Sequence, residues 1–353
     1  MKKSVLITGS CGLVGSECVR FFSEKGFKII GIDNDMRRFF FGEEASIQRN
    51  KKKLLEETED YLHFDLDIRD KLNLEKLFKE YKFDLIIHTA SQPSHDWAKE
   101  APLLDFEVNA YATLLLLENF RKYSPQAVFI FTSTNKVYGD RVNSLEFQEL
   151  EKRYELPQSH PYYQGIEESF YIDASLHSLF GASKLSADIL VQEYGRYFGL
   201  KTVSFRLGCI TGPSHQGAEL HGFLSYLVRC VVRGREYTIY GYKGKQVRDN
   251  IHSYDLANAF YHFYLSPKCG EVYNLGGGRF SNISILEAIE LIEKISRKKL
   301  KYRYIDTPRR GDHIWWITNN SKFMKDYPSW ALTYRIDSIL EEIYQGERGL
   351  FNT

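Results

Sequence analysis

The chain has 353 residues, 43% of them hydrophobic and 26% charged, and carries a formal net charge of +1. Near-neutral charge supplies no basic field for nucleic acid or an anionic membrane, and no run reaches the ~20 apolar residues of a membrane span. The length suits one large α/β unit with a smaller second lobe.

Met1-Lys2-Lys3 is a basic start, but the apolar run stops after Val5-Leu6-Ile7, far short of a signal-peptide core. A cytoplasmic location is expected from the five cysteines, whose reading as free thiols fits a reducing compartment. Ser4–Thr8 reads as a strand, then a helix over about 13–25, then a strand at Lys28–Asp33. Lys51-Lys52-Lys53 with Glu56, Glu57 and Glu59 reads as a solvated helix face. Further strand-like runs fall at Tyr61–Asp65, Leu85–Ala90, Val128–Ser133 and Thr202–Leu207, with helical patterns at Val108–Tyr123 and Phe180–Phe198. Repeated βα units predict an α/β fold: a doubly wound parallel sheet of the Rossmann kind, with ligands at the carboxyl ends of its strands. Glu146–Ser175 reads as a loop or lid. Beyond about Leu207 turn signals dominate (Gly212-Pro213, Gly241, Gly276-Gly277-Gly278), which predicts a smaller C-terminal substrate-binding lobe. The expected division is a dinucleotide-binding domain over 1–205, with 247–265 returning to it, and a lobe of 206–246 plus 266–353. Five cysteines without metal-ligand spacing read as free thiols, and no metal site is expected.

Thr8-Gly9-Ser10-Cys11-Gly12-Leu13-Val14-Gly15 lies between the first strand and the first helix. Glycines suit a tight turn whose backbone must approach a pyrophosphate, and the helix start supplies amide donors. Gly9, Cys11, Gly12, Leu13, Val14 and Gly15 are therefore candidate cofactor contacts. Asp33, followed by Asn34, ends the second strand at the spacing suited to the adenosine ribose. Its charge opposes the 2′-phosphate of NADP, so NAD is the expected cofactor, with Arg37 and Arg38 nearby as a counterweight. Asp67-Ile68 follows the third strand, where an acid can meet the adenine amine.

The series TGxxGxxG, Asp33, Asp67-Ile68-Arg69, Asn109, Ser133-Thr134 and a lysine four residues after an aromatic resembles the extended short-chain dehydrogenase/reductase family. Within it the chain is similar, over nearly its whole length, to the CDP-tyvelose (CDP-paratose) 2-epimerases. Ser133-Thr134-Asn135-Lys136-Val137-Tyr138-Gly139-Asp140 is the most specific piece. The resemblance implies an NAD-dependent nucleotide-sugar epimerase, an isomerase of polysaccharide biosynthesis that works through a transient keto sugar. It implies a homodimer pairing the helices after Asn109 and Phe180. Ala90, Asn109 and Thr132 would lie at the cofactor, Thr134 at the reacting hydroxyl, and Lys184 at the nicotinamide ribose. Gln92, Ser94, Asn135, Lys136, Cys209 and His221 would face the substrate, with Arg248 and Arg310 gripping its diphosphate.

Related 4,6-dehydratases place an acidic pair where this chain has Asn135 and Lys136, so the resemblance disfavours dehydration. Relatives also carry Tyr-x-x-x-Lys, whereas this chain has Phe180-Gly181-Ala182-Ser183-Lys184. Three readings of Phe180 stay open: an engineered substitution, a natural one with the base supplied by His177, Tyr162, Tyr163 or Tyr171, or a protein that binds without catalysing. Many relatives have asparagine where Cys209 stands. The rivals to a 2-epimerase are a 4-epimerase or reductase on another nucleotide sugar.

Overall fold

The computed structural model describes residues 2–351 apart from 216, 218, 220, 221 and 310. Two compact units emerge. The first comprises 1–137, 179–206 and 256–273; the second 138–178, 207–255 and 274–353.

The first unit is built on a seven-stranded sheet. Its strands are β1 (Ser4–Thr8), β2 (Lys28–Asp33), β3 (Tyr61–Asp65), β4 (Leu85–His88), β5 (Val128–Thr134), β6 (Lys201–Leu207) and β7 (Glu271–Leu275), in the order β7-β6-β5-β4-β1-β2-β3. The ladders from β3 through β2, β1 and β4 to β5 are parallel. Helices cover both faces of a parallel sheet, so central strands must be apolar on both sides. Val5, Leu6, Ile7, Leu85, Ile86, Ile87, Phe129, Ile130 and Phe131 accordingly are buried. β4 ends at His88, short of the expected Ala90, because the N–H groups of Thr89 and Ala90 turn to the Thr8 hydroxyl (3.2 and 3.1 Å). The helical run 102–123 starts at Pro102 and is interrupted by a π turn at Glu107–Tyr111. Such turns shift side chains off the regular helical faces and favour functional positions. Helix Ser178–Phe198 is tied to β6 by a buried ion pair between Asp188 and Arg206 (2.9 Å).

The second unit has its own core, formed by the helices Phe223–Arg233, Ile285–Ser296 and Ile336–Phe351 with neighbouring strands. This regularity differs from the turn-dominated expectation. Gly222 and Gly234, both at positive φ, bracket the first helix, and a reciprocal Ser284–Glu287 capping box starts the second. The boundaries also differ. Strand Val247–His252 pairs with Cys209–Thr211, Asn282–Ser284 and Trp315–Trp316 and so belongs to the second unit. The chain returns to the first unit over 256–273, in place of 247–265, and 138–178 sits in the second.

Candidate functional site

At the carboxyl end of β1 the chain turns through Gly9, whose φ is +65°. A Cβ there would lie 2.9 Å from the Ala90 backbone, and one on Gly15 would lie 2.0 Å from the Gly9 carbonyl oxygen. Gly9 thus suits the left-handed backbone, and Gly15 lets helix Leu13–Glu24 close on the turn. No side chain caps that helix at Gly12, so its first N–H groups remain available to an anion. Gly15→Ala is expected to cost about 1–3 kcal/mol by overpacking, and thermal unfolding with and without NAD checks it; an unchanged midpoint refutes the close approach.

Asp33 is half-buried at the end of β2. Its two oxygens accept N–H groups from Cys11 (3.1 Å) and Asp35 (3.0 Å). Burial raises its carboxyl pKa, and those two backbone bonds oppose the rise. Each oxygen keeps a second lone pair for a further donor. The neighbouring arginines are engaged elsewhere: Arg37 lies over the Phe41 ring, and Arg38 bonds Glu43 (2.6 Å).

Asp67 accepts from Asn34 (2.9 Å), from the Arg69 backbone N–H (2.8 Å) and from the Arg69 guanidinium through Nε (3.0 and 3.2 Å) and Nη2 (2.7 Å). Burial would raise its pKa, but the Arg69 bonds outweigh burial and hold it below the usual range. The Ile68 side chain lies in the core, which leaves its backbone to face any ligand.

Ser10, Cys11, Tyr61 and His63 form a buried chain beside the turn that sequence reading missed. Tyr61 Oη is 2.9 Å from both Ser10 Oγ and His63 Nδ1, and His63 Nε2 is 3.2 Å from Asp65. Burial pushes the Cys11 thiol up to about 11, so it is protonated near neutral pH and poorly nucleophilic.

β5 and helix Ser178–Phe198 hold the second cluster. Lys184 is 3% exposed; its Nζ donates to the Thr132 carbonyl (2.8 Å) and lies 4.1 Å from the Phe131 ring centroid. Burial lowers its pKa to about 7, with Asp188 and Asp105 pulling upward. The buried Ser133 hydroxyl has no hydrogen-bond partner among the described residues. Half-buried Thr134 ends the strand, its hydroxyl accepting the Lys136 N–H (3.2 Å). Asn135 is buried and begins a 3-10 segment. Phe180 sits one helical turn before Lys184, 7% exposed, with its ring against half-buried His95 (centroids 5.0 Å, 65°).

A buried polar network supports this cluster. Asn109, on the π turn, accepts from the Gln92 N–H (2.9 Å) and donates to the Gln92 carbonyl (3.0 Å) and Ser183 Oγ (3.1 Å). Gln92 Nε2 donates to Asp105 (2.7 Å) and to the Ser94 carbonyl (2.8 Å), and Ser94 caps the helix His95–Glu100. These bonds occupy the side chains of Gln92, Ser94 and Asn109. All three are at most 2% exposed and hold this part of the unit together. Deeper in the unit, Thr113 donates to the Asn109 carbonyl (2.7 Å) and so accepts from His88 Nε2 (2.9 Å); Nδ1 then accepts from Thr8 (2.7 Å). Burial drives the His88 pKa far below its ordinary value, which keeps the ring neutral.

The remaining expected residues belong to the second unit. Arg248 is 7% exposed; one arm donates to the Val247 carbonyl (2.7 Å) and another pairs with Asp312. Cys209 is a half-buried free thiol paired with Asn250 across the ladder. Asp249, not singled out in the sequence, accepts the N–H groups of Gly278 (2.9 Å) and Thr318 (3.0 Å), and burial pushes it up to about 6. His177 lies 3.3 Å from Ser175, Tyr162 packs on Phe170, Arg279 covers the Tyr163 ring, and Arg141 covers exposed Tyr171. His221 and Arg310 lie outside the described residues. Among the described residues no His, Cys, Asp or Glu group is arranged to hold a metal, and no helix is long and apolar enough to cross a membrane.

The sequence profile of the NAD dependent epimerase/dehydratase family matches residues 5–276. CDP-paratose 2-epimerase of Salmonella typhi is 32% identical over 296 residues, 82% of this chain and 83% of that protein. Human UDP-glucose 4-epimerase is 28% identical over 99% of this chain and 97% of its own length. The crystal structure of Thermus thermophilus UDP-glucose 4-epimerase with NAD superposes with a TM-score of 0.80 at 25% identity, covering 98% of this chain and 99% of that one. With a glycine turn, a strand-end acid and a buried lysine arranged on a doubly wound sheet, the chain belongs to the NAD dependent epimerase/dehydratase family.

Proposed function

We propose that the chain is a nucleotide-sugar epimerase working through a transient keto sugar, with a CDP-sugar inverted at carbon 2 as its substrate. The observation that carries this reading is the Thr132–Thr134 strand end with Lys184 hydrogen-bonded beneath it, in the same unit as the glycine turn. The 32% identity to a CDP-paratose 2-epimerase supports carbon 2. A 4-epimerase is the second reading, favoured by the nearly full-length likeness to UDP-glucose 4-epimerases.

The residues fit NAD: Gly9 and Gly15 let the turn pack tightly on Ala90 and the start of the helix, that helix start has no side-chain cap, and Asp33 stands ready for ribose hydroxyls. NAD, when bound, supplies reversible hydride acceptance from a ring carbon. The residues assigned to hold it are Gly9–Gly15 for the diphosphate, Asp33 for the adenosine ribose, the backbone at Asp67-Ile68 and at Ala90, and Lys184 for the nicotinamide ribose. Thr134 is assigned to the reacting hydroxyl, with Asn135 and Lys136 beside the sugar. Arg248, and Arg310 by resemblance, would hold the substrate diphosphate, with His221 and Cys209 nearby. The first unit is then the cofactor half and the second the substrate half. Exposed Leu179, Ile189 and Tyr197 on helix Ser178–Phe198 support a homodimer, and five free cysteines a reducing cytoplasm.

Product analysis by NMR after incubation with CDP- and UDP-hexoses tests this. Inversion at carbon 2 supports the first reading, inversion at carbon 4 the second, and unchanged sugars with bound NAD refute both. For the cofactor, Asp33→Ala is expected to weaken NAD binding ~10-fold or more, since hydrogen bonds to a charged group contribute about 1.5–3 kcal/mol. It should also narrow the gap to NADP. Calorimetry decides, and tighter binding of NADP than NAD by the unaltered chain would sink the assignment.

A further inference from the structure

We propose that His95 is the proton acceptor of this enzyme, taking the place of a phenol at position 180. The inference rests on the epimerase reading above and adds the group that handles the proton.

A ring hydroxyl cannot become a carbonyl unless its proton has somewhere to go. Phe180 has no hydroxyl, and threonine is too weak a base near neutral pH to serve alone. Tyr162 packs on Phe170, Arg279 covers Tyr163, Arg141 covers Tyr171, and His177 meets Ser175, each contact within the second unit. The ring that touches Phe180 is His95. Its imidazole packs edge-on against the phenyl, one helical turn from Lys184. It is half-buried, shielded enough to be oriented and open enough to meet a ligand.

Its placement is fixed from below. Ser94 caps the short helix that His95 begins, and Gln92 binds the Ser94 carbonyl while also binding Asp105. Ser183, three residues beyond Phe180, joins the same network through Asp105 and Asn109. The loop carrying the imidazole and the helix carrying the phenyl are therefore locked together by hydrogen bonds, the support a general base needs. Imidazole is suited to the task because its ordinary pKa lies near neutrality. The charged groups on its own helix are Asp96, Lys99 and Glu100, and those on the elements around it include Asp105 on the helix beginning at Pro102, Lys184 and Asp188 on the helix of Phe180, and Arg37 and Arg38 on Met36–Phe41, whose Phe40 packs on Trp97.

The step balances as follows. The sugar O–H bond breaks and its proton goes to an imidazole nitrogen. The O–H electron pair becomes the second C–O bond, and the hydrogen on that carbon leaves with its pair for oxidised nicotinamide. Return of the pair to the other face and of the proton to oxygen regenerates both groups.

The test is a double-mutant cycle of His95→Ala and Phe180→Tyr, with His95→Gln as a size-conserving control. CDP-glucose and UDP-glucose serve as probes, and the readouts are single-turnover reduction of bound NAD and NMR of the products. A placed base contributes ~10²–10⁴-fold, so His95→Ala and His95→Gln should each lose at least ~100-fold while NAD affinity and melting temperature stay nearly constant. Adding Phe180→Tyr to His95→Ala should restore most of that loss, whereas Phe180→Tyr alone should change the rate less than ~10-fold. In ¹³C-histidine protein, the resonance missing from His95→Ala should titrate at the pH where the unaltered enzyme's acid limb falls. Full activity in both His95 variants overturns the proposal and leaves the epimerase reading intact. A chain that binds NAD but never reduces it with either probe overturns both.

Discussion

Replacing Lys184 with Met is expected to weaken NAD binding by ~10–100-fold at pH 6, the loss of one hydrogen bond from a charged donor at about 1.5–3 kcal/mol. The same change should make the protein more stable at that pH. Lys184 is buried, and its pKa falls to about 7 in the folded chain, against about 10.4 in an unfolded one. Between those values the unfolded chain binds a proton that the folded chain does not, so this group's contribution to stability rises with pH. Below pH 7 the folded protein carries the whole penalty of burying an ammonium, on the order of 4 kcal/mol from that difference. Methionine has no such penalty, although it forfeits the bond to Thr132. The melting-temperature advantage of Lys184→Met should therefore be greatest near pH 6 and vanish by about pH 10. Calorimetric NAD titrations and melting curves at the two pH values check both halves. A variant that loses stability at pH 6 while keeping its NAD affinity shows a lysine that serves the fold alone.

Arg248→Ala is expected to lower affinity for CDP- and UDP-sugars by ~100-fold or more, with NAD affinity unchanged. Two charge-assisted bonds to a diphosphate contribute about 1.5–3 kcal/mol each. Truncation also removes the guanidinium that pairs with Asp312, so that carboxylate's charge is less offset toward the phosphates. Asp312→Asn should therefore weaken binding less than Arg248→Ala, and the double variant should bind better than Arg248→Ala alone. Calorimetry with CDP- and UDP-glucose tests the order. Equal affinity in the unaltered and Arg248→Ala proteins assigns the arginine to the fold.

The parallel sheet was legible because its strands are short apolar runs separated by helical periods, and the glycine turn because its spacing is dictated by backbone contact. Helices 223–233 and 285–296 were less visible because the turn signals around them drew the reading, although the Ile285, Ile289 and Ile292 spacing and the Ser284-x-x-Glu287 signature were there to read. Strand-end spacing marked Asp33, and the family resemblance marked Lys184 and Arg248. They did not reveal that Gln92, Ser94 and Asn109 would spend their polar groups on one another, because that depends on three-dimensional closure. Nor did any local signal join His95 to Phe180, which meet only when the loop after β4 packs on a helix far along the chain. The boundary near residue 250 was misplaced because strand partners, not composition, decide which unit a strand joins.

The π turn at Glu107–Tyr111 has a consequence for insertions and deletions. A π turn holds one residue more than the α-turn it replaces. Removing a single residue between 107 and 111 would let the run 102–123 become a continuous α-helix at little cost to its length. Because the wide turn takes up its extra residue locally, the stretches on either side would keep their facing, and the change would fall on the residues inside the turn. Leu116 and Phe120 would keep their places in the core, but Asn109, inside the turn, would be re-aimed relative to Asp105 and lost to the polar network. Sequence alignments across this segment should therefore be read by the position of the asparagine, since an apparently harmless gap there amounts to a change of scaffold.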